Sequence, residues 1–130
     1  MKERFLIVGL GSMGKRRLRN LLDLGYFDII GYDVRTDRTS EVSKQYKIKT
    51  VTNFQEALRF KPTTMIISSP PNLHNKYVKI AIKNKINFFT ELNLLSNEVK
   101  KIIDWMKHSS IIGKPSCSMK FHPVVIELKK

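Results

Sequence analysis

The sequence has little cysteine and no long apolar run, and both shortages exclude classes of protein. Its 130 residues include one cysteine, Cys117, so no disulfide can form within the chain, and a single thiol is compatible with a reducing compartment such as the cytoplasm. The opening apolar run, residues 5–10, is too short for a signal peptide, and no stretch is long enough to span a membrane. We therefore expect one compact soluble domain with no membrane partner.

Acidic residues are also scarce. The chain has 11 of them and 24 basic residues, which gives a formal net charge of +13 at pH 7. Such a charge can indicate a nucleic-acid or membrane partner. However, the lysines are spread through every predicted helix, and no basic stripe interleaved with aromatic residues and no nucleic-acid-binding motif is found. We interpret the charge as solvated helix surfaces and predict no specific nucleic-acid partner.

Short apolar runs alternate with longer amphipathic segments, a pattern typical of repeated βα units around a parallel sheet. The predicted strands are 5–8, 28–32, 48–51, 65–67, 87–91 and a weaker sixth at 114–121. The predicted helices are 13–24, 38–46, a short one after Asn53, 73–84, one capped by Ser96, and one that begins at Pro123. The fold class is therefore α/β: a doubly wound parallel sheet in three layers, αβα, forming a single domain.

A glycine-rich turn joins the first strand to the first helix. Residues 9–14 are Gly9, Leu10, Gly11, Ser12, Met13 and Gly14. In the Rossmann fingerprint, the first glycine permits a tight turn, the second lets the backbone approach a pyrophosphate, and the third lets the helix pack closely on the strand. The phosphates lie on unpaired amide N–H groups at the positive end of the helix. The sequence therefore predicts a dinucleotide site formed by residues 9–14.

An acid at the end of the second strand completes this fingerprint. Asp33 follows Gly14 at close to the expected spacing of about 20 residues. Its carboxylate would accept hydrogen bonds from the adenosine ribose and repel a 2′-phosphate, so NAD is favoured, with Val34 beside it in the site. NADP stays an alternative, because Arg35 or Arg38 could stack on adenine or pair with a 2′-phosphate.

With these residues in place, the chain resembles the glucose–fructose oxidoreductase and inositol dehydrogenase (Gfo/Idh/MocA) family along essentially its whole length. Four blocks in the same order carry the resemblance: residues 7–17, the Ser-Pro-Pro-Asn-Leu-His block 69–74, Phe-Thr-Glu at 89–91, and Lys-Phe-His-Pro at 120–123. The resemblance implies hydride transfer between a nicotinamide cofactor and a carbinol or ketone of a sugar or sugar derivative. It also implies a homo-oligomer for the full-length protein.

The same resemblance assigns further residues to the cofactor. It implies that Ser69, Pro70 and Asn72 line the nicotinamide half and that Glu91 ends the fifth strand beside it. His74 either contacts the cofactor or bonds to nearby backbone, and the sequence leaves these alternatives open.

The chain departs from the family at the residue after Glu91, where the family has a lysine that binds substrate and this chain has Leu92. A leucine can neither donate a proton nor stabilise an alkoxide. No catalytic residue is therefore assigned with support, and Asn93 and Lys120 are weak candidates. No spacing of histidine, cysteine or acid predicts a metal site.

The resemblance also implies a boundary. We expect residues 1–122 to form the NAD(P)-binding domain and residues 123–130 to begin the connection to a substrate domain, so that this chain alone binds cofactor without turnover. The alternative is a non-catalytic NAD(H)-binding sensor or scaffold module, which the loss of the family lysine favours.

Overall fold

The computed structural model describes residues 2–91, 96–117 and 121–130. Six strands alternate with six helices, and a short 3-10 turn at Pro71–Leu73 precedes the fourth helix. The strands are β1 (Phe5–Val8), β2 (Ile29–Tyr32), β3 (Lys49–Val51), β4 (Thr64–Ile67), β5 (Asn87–Thr90) and β6 (Gly113–Pro115). The helices are α1 (Ser12–Asp23), α2 (Thr36–Tyr46), α3 (Phe54–Arg59), α4 (His74–Lys83), α5 (Ser96–Lys107) and α6 (Pro123–Leu128).

All strand pairs are parallel, and the sheet order is β3-β2-β1-β4-β5-β6. This order reverses direction between β1 and β4, which is the switch point where open α/β sheets bind ligands beyond the carboxyl ends of the strands. The predicted doubly wound Rossmann fold is confirmed.

Two apolar layers cover the sheet, one on each face, and β1 is therefore buried on both of its faces. On one face, Leu6 and Met65 pack with Val78 of α4 and Ile102 of α5. On the other face, Ile7 packs with residues of α1 and α2, among them Leu18 and Val42. The three-layer αβα arrangement follows from these two cores.

The sixth strand is shorter than predicted. It comprises Gly113–Pro115 instead of residues 114–121, and residues 118–120 lie outside the described part of the chain. Proline lacks the N–H that a strand needs to continue its ladder, so a strand ending at Pro115 at the sheet edge is physically reasonable. Ser116 donates its backbone N–H to the Thr90 carbonyl at 2.7 Å and fixes the chain just beyond the strand.

The helix boundaries match the sequence pattern to within about two residues. Gly25 (φ +86°) ends α1 in the left-handed conformation, and the Asn53 side chain accepts a hydrogen bond from the Glu56 N–H at 3.1 Å, as predicted. Ser96, predicted to cap α5, is the first residue of that helix, and residues 92–95 before it are not described. Among the helices of the described ranges, none has the length and apolar content needed to cross a membrane.

Candidate functional site

The turn after β1 brings three chain segments together, and two of its glycines are required for that packing. Gly9 has φ +93°, and a Cβ there would lie 2.6 Å from the Ser68 carbonyl oxygen after β4. A Cβ on Gly14 would lie 1.8 Å from the Gly9 carbonyl oxygen. Both positions therefore exclude a side chain through contacts within the protein itself.

Gly11 is different, because the packing of the protein does not demand it. A Cβ at this position would have the Arg38 guanidinium as its nearest neighbour, with atoms from 3.6 Å away. Gly11 also precedes α1, and it gives that helix no side-chain cap. Amide N–H groups at such a helix start are unpaired and carry a partial positive charge. The open side of the turn is thus shaped to receive an anion at close range.

Asp33 lies at the carboxyl end of β2 with 5% of its surface exposed. Its Oδ2 accepts from the Leu10 N–H at 2.9 Å and from Arg38 Nη1 at 3.4 Å, while Oδ1 accepts from the Arg35 N–H at 2.9 Å. These bonds fix the carboxylate against the glycine turn. Each carboxylate oxygen has two acceptor positions, so Oδ1 keeps capacity for another donor.

The two arginines of this region have different partners. The guanidinium of Arg35 binds Asp37 through two hydrogen bonds of 3.1 and 2.6 Å. This bond lowers the pKa of Asp37 and raises the pKa of Arg35. Arg38 instead reaches between Asp33 and Gly11. The sequence analysis named two arginines that could stack on adenine or pair with a 2′-phosphate. Arg38 is the one whose guanidinium lies over the glycine turn.

A cavity of about 460 Å³ opens along the carboxyl ends of β1, β2 and β4. Nine of the residues predicted from the sequence line it: Gly9, Gly11, Ser12, Met13, Asp33, Val34, Arg38, Ser69 and Pro70.

The other five predicted residues lie around this cavity. The Leu10 side chain is buried in the core below the turn, and Gly14 packs against Gly9. Asn72 is exposed in the turn before α4, while His74 is buried at the start of that helix. Glu91 is turned toward α1, as described below.

The sequence pattern missed five residues that line the cavity, namely Val8, Tyr32, Ser68, Leu73 and Tyr77. Burial and a hydrogen bond with Tyr32 raise the pKa of Tyr77, so its phenol stays neutral. The Tyr77 ring packs edge-on against Tyr32 at 6.3 Å between centroids. Tyr77 follows His74 by one helical turn, and that i, i+3 spacing is the signal that could have indicated it.

His74 holds the loop that follows β4. Its Nε2 lies 2.6 Å from the Ser69 carbonyl oxygen, and because a carbonyl accepts, the ring nitrogen is the donor. The buried Nδ1 of His74 and the hydroxyls of Ser68 and Ser69 have no hydrogen-bond partner among the described residues. Unpaired buried polar atoms are uncommon, and here they lie beside the cavity. The backbone bond expected as one alternative for His74 is thus present.

Glu91 forms a two-point ion pair with Arg17 of α1. Arg17 Nε donates to Oε1 at 2.9 Å and Nη2 donates to Oε2 at 3.1 Å, and the same Nη2 donates to Ser116 Oγ at 3.2 Å. The guanidinium also lies 5.0 Å from the centroid of the Phe89 ring. Leu92, Asn93 and Lys120, the residues discussed for catalysis, lie outside the described residues.

These features fit a dinucleotide pyrophosphate. The turn has room where Gly11 lacks a Cβ, the α1 N-terminus has no side-chain cap, and a buried carboxylate stands one strand away. Ser68 and Ser69 line the cavity, and their buried hydroxyls have no hydrogen-bond partner within the described part of the chain. The fit rests on backbone geometry and polar groups that the protein leaves available.

A protein-family model described as "Oxidoreductase family, NAD-binding Rossmann fold" (GFO_IDH_MocA) matches residues 3–111. No curated protein has a significantly similar sequence.

Similar solved structures share the fold at low sequence identity. Myo-inositol 2-dehydrogenase from Lactobacillus plantarum superposes with a TM-score of 0.87 at 20% identity, over 99% of this chain and 40% of that one. The WlbA (WbpB) dehydrogenase from Thermus thermophilus, solved with NAD and UDP-GlcNAcA, gives 0.81 at 21% identity, over 98% of this chain and 45% of that one. UDP-N-acetylglucosamine 3-dehydrogenase from Acidithiobacillus ferrooxidans superposes with a TM-score of 0.85 at 16% identity, over 97% of this chain and 42% of that one. The chain therefore spans less than half the length of these structures.

Proposed function

The chain belongs to the Gfo/Idh/MocA oxidoreductase family through its NAD-binding Rossmann domain, and we propose that it binds NAD(H) for hydride transfer at a carbinol or ketone of a sugar or sugar derivative. The observation that carries the proposal is the cavity joining the glycine turn, the Asp33 carboxylate and the loop after β4. Dehydrogenases of inositol and of a UDP-sugar among the similar structures support the substrate class.

Each part of the cavity has a separate task in this proposal. The amide N–H groups of Ser12 and Met13 hold the pyrophosphate on α1, and Asp33 accepts from the ribose hydroxyls. Ser69 and Pro70 border the nicotinamide half, with His74 fixing the Ser69 carbonyl at 2.6 Å. When bound, the nicotinamide ring supplies or accepts the hydride.

Turnover needs more than these residues. A carbinol oxygen needs a partner that exchanges a proton, and Leu92 has no group that can do so. We therefore propose that the 130-residue chain binds cofactor without turnover. From the family resemblance, we also propose that the full-length protein acts as a homo-oligomer. Residues 123–130 begin the connection to its substrate domain in this proposal.

The second candidate is a non-catalytic NAD(H)-binding sensor or scaffold, and Leu92 is the observation that favours it. Both functions require NADH binding, but only the enzyme oxidises NADH when a keto sugar is added. Absorbance at the NADH band, followed with a panel of keto sugars and the whole protein that contains this chain, separates them. No consumption with any sugar supports the sensor.

Calorimetric titration with NADH and NADPH tests the binding proposal. We expect tighter binding of NADH, because Asp33 repels a 2′-phosphate. Arg38→Met should weaken NADPH binding about tenfold more than NADH binding, since Arg38 is the cation nearest Asp33. Arg35→Met removes the same charge from a guanidinium held by Asp37 and serves as the control. Tighter binding of NADPH by the wild-type chain would contradict our interpretation of Asp33.

A further inference from the structure

The Arg17–Glu91 ion pair joins α1, which borders the cofactor cavity, to the end of β5, two strands from β1. Arg17 lies on α1, whose first residues, Ser12 and Met13, line the cavity. Glu91 follows β5, and its N–H donates to the Ile67 carbonyl at 3.3 Å, next to Ser68 in the cavity wall. Neither residue lines the cavity itself, and the pair, built from residues 74 positions apart, is bonded next to the end of β4, which does.

The sheet order indicates which end of the dinucleotide passes this pair. Asp33 at the end of β2 holds the adenosine ribose, and α1 after β1 holds the pyrophosphate. In the order β3-β2-β1-β4-β5-β6, the rest of the molecule must continue away from β2, across β4 toward β5. The nicotinamide end thus approaches the side of the cavity where Glu91 and Arg17 lie.

The charges of the pair act differently on the two forms of the cofactor. The oxidised nicotinamide ring carries a positive charge that the reduced ring lacks, so a nearby carboxylate favours NAD⁺ and a nearby guanidinium favours NADH. Both side chains are largely shielded from water, with exposed fractions of 22% for Arg17 and 18% for Glu91, so their fields are screened less than those of surface charges. Joined at 2.9 and 3.1 Å, the two charges largely cancel.

We propose that the Arg17–Glu91 ion pair sets the balance between NAD⁺ and NADH binding, with Arg17 as the residue that positions Glu91 and compensates its charge. The inference rests on the proposed cofactor function and assigns a further role to two residues at that site. Ser116 and Phe89 hold the guanidinium from two other sides, which keeps it on Glu91 and away from solvent.

The test measures dissociation constants of NAD⁺ and NADH by calorimetry for four chains: wild type, Arg17→Met, Glu91→Gln and the double variant. Arg17→Met leaves an uncompensated carboxylate and should shift the ratio of the two constants about three- to tenfold toward NAD⁺. Glu91→Gln leaves an uncompensated guanidinium and should shift the ratio by a similar factor toward NADH. The double variant should return to within about twofold of the wild-type ratio.

Opposite shifts distinguish this role from a merely structural one, because loosening the site weakens both forms together. Arg19→Met is the matched control, since it removes the same charge from α1 where Arg19 bonds to Tyr46 at 3.1 Å, and the ratio should stay unchanged. If Arg17→Met does not fold, the shift in Glu91→Gln decides alone. Unchanged ratios in the variants, or shifts of the same sign, overturn the role of the ion pair. If the wild-type chain still binds the cofactor in that case, the proposed function is unaffected. A wild-type chain that binds neither form overturns both.

Discussion

Among single residues, the three glycines of the turn after β1 have separable roles. Gly14 serves the fold, because a Cβ there would lie 1.8 Å from the Gly9 carbonyl oxygen. The nearest atoms to a Cβ on Gly11 would be those of the flexible Arg38 guanidinium, from 3.6 Å away, so the packing of the protein does not require its missing side chain, and we attribute it to the proposed ligand. We expect Gly14→Ala to lower the free energy of unfolding by about 2–4 kcal/mol or to prevent folding. Gly11→Ala should change it by less than about 1 kcal/mol and weaken NADH binding at least about tenfold.

Urea denaturation followed by circular dichroism measures the first effect, and NADH titration measures the second. Each variant is the control for the other, because both add one methyl group to the same turn. A Gly11→Ala chain that binds NADH like the wild type would remove the basis for a close approach of the pyrophosphate to this turn.

Residues that act through local motifs could be predicted from the sequence, whereas residues that act through distant partners could not. The glycines and Asp33 are found because the turn and the strand end have fixed spacings. The pairing of Arg17 with Glu91 depends on the sheet order, which places the end of β5 within reach of the Arg17 side chain on α1. Tyr77 lines the cavity because α4 turns it there, and its i, i+3 spacing from His74 is a weak local signal for that position.

At the scale of elements, three loops that follow helices contain a lysine in the left-handed conformation. Lys47, Lys61 and Lys85 have φ values of 57°, 54° and 55°. A Cβ in this region costs roughly 1 kcal/mol, which glycine avoids. Glycine marks a helix end in sequence and lysine does not, yet the predicted end of α2 at residue 46 matches the structure and that of α4 lies within one residue of it.

Lys47→Gly should therefore raise the free energy of unfolding by about 0.5–1 kcal/mol. Lys47 is the residue that ends α2, and its N–H donates to the Ser43 carbonyl at 3.0 Å, a bond that glycine retains. Lys44→Gly inside the same helix is the control, and it should lower stability by about 1 kcal/mol. Urea denaturation measures both. A loss of stability in Lys47→Gly would contradict a strained lysine at this helix end.

The strands could be predicted more closely than the helices, because a strand buried on both faces is a continuous apolar run. β1 has the same boundaries in the sequence pattern and in the structure. β6 is the exception, since an edge strand of three residues that ends at Pro115 carries no such run. Gly113 fits there because a Cβ would lie 2.3 Å from the Phe88 ring, a contact that only the fold reveals.

Across the whole molecule, a formal net charge of +13 remains after every acidic residue is counted. Pairs such as Lys49–Glu56 at 3.9 Å and Lys2–Asp28 at 3.4 Å have exposed lysines and contribute little to stability. The uncompensated field attracts anions in general. It therefore favours NADH, which carries two phosphate charges, without making a nucleic acid a specific partner.

Ligand-induced stabilisation of the whole domain tests which end of the cofactor the cavity holds. At about 100 times its dissociation constant, a ligand that binds only the folded state adds about 2.7 kcal/mol and raises the Tm of a domain of this size by about 10 °C. In our proposal, Asp33 and the α1 N-terminus hold the adenosine ribose and the pyrophosphate, so ADP-ribose should bind almost as tightly as NADH. Nicotinamide mononucleotide, at the same concentration and with its single phosphate, should raise the Tm by less than about 1 °C. Calorimetric melting curves at fixed ionic strength separate this recognition from general attraction of anions, and equal shifts with both fragments would mean that charge alone drives binding.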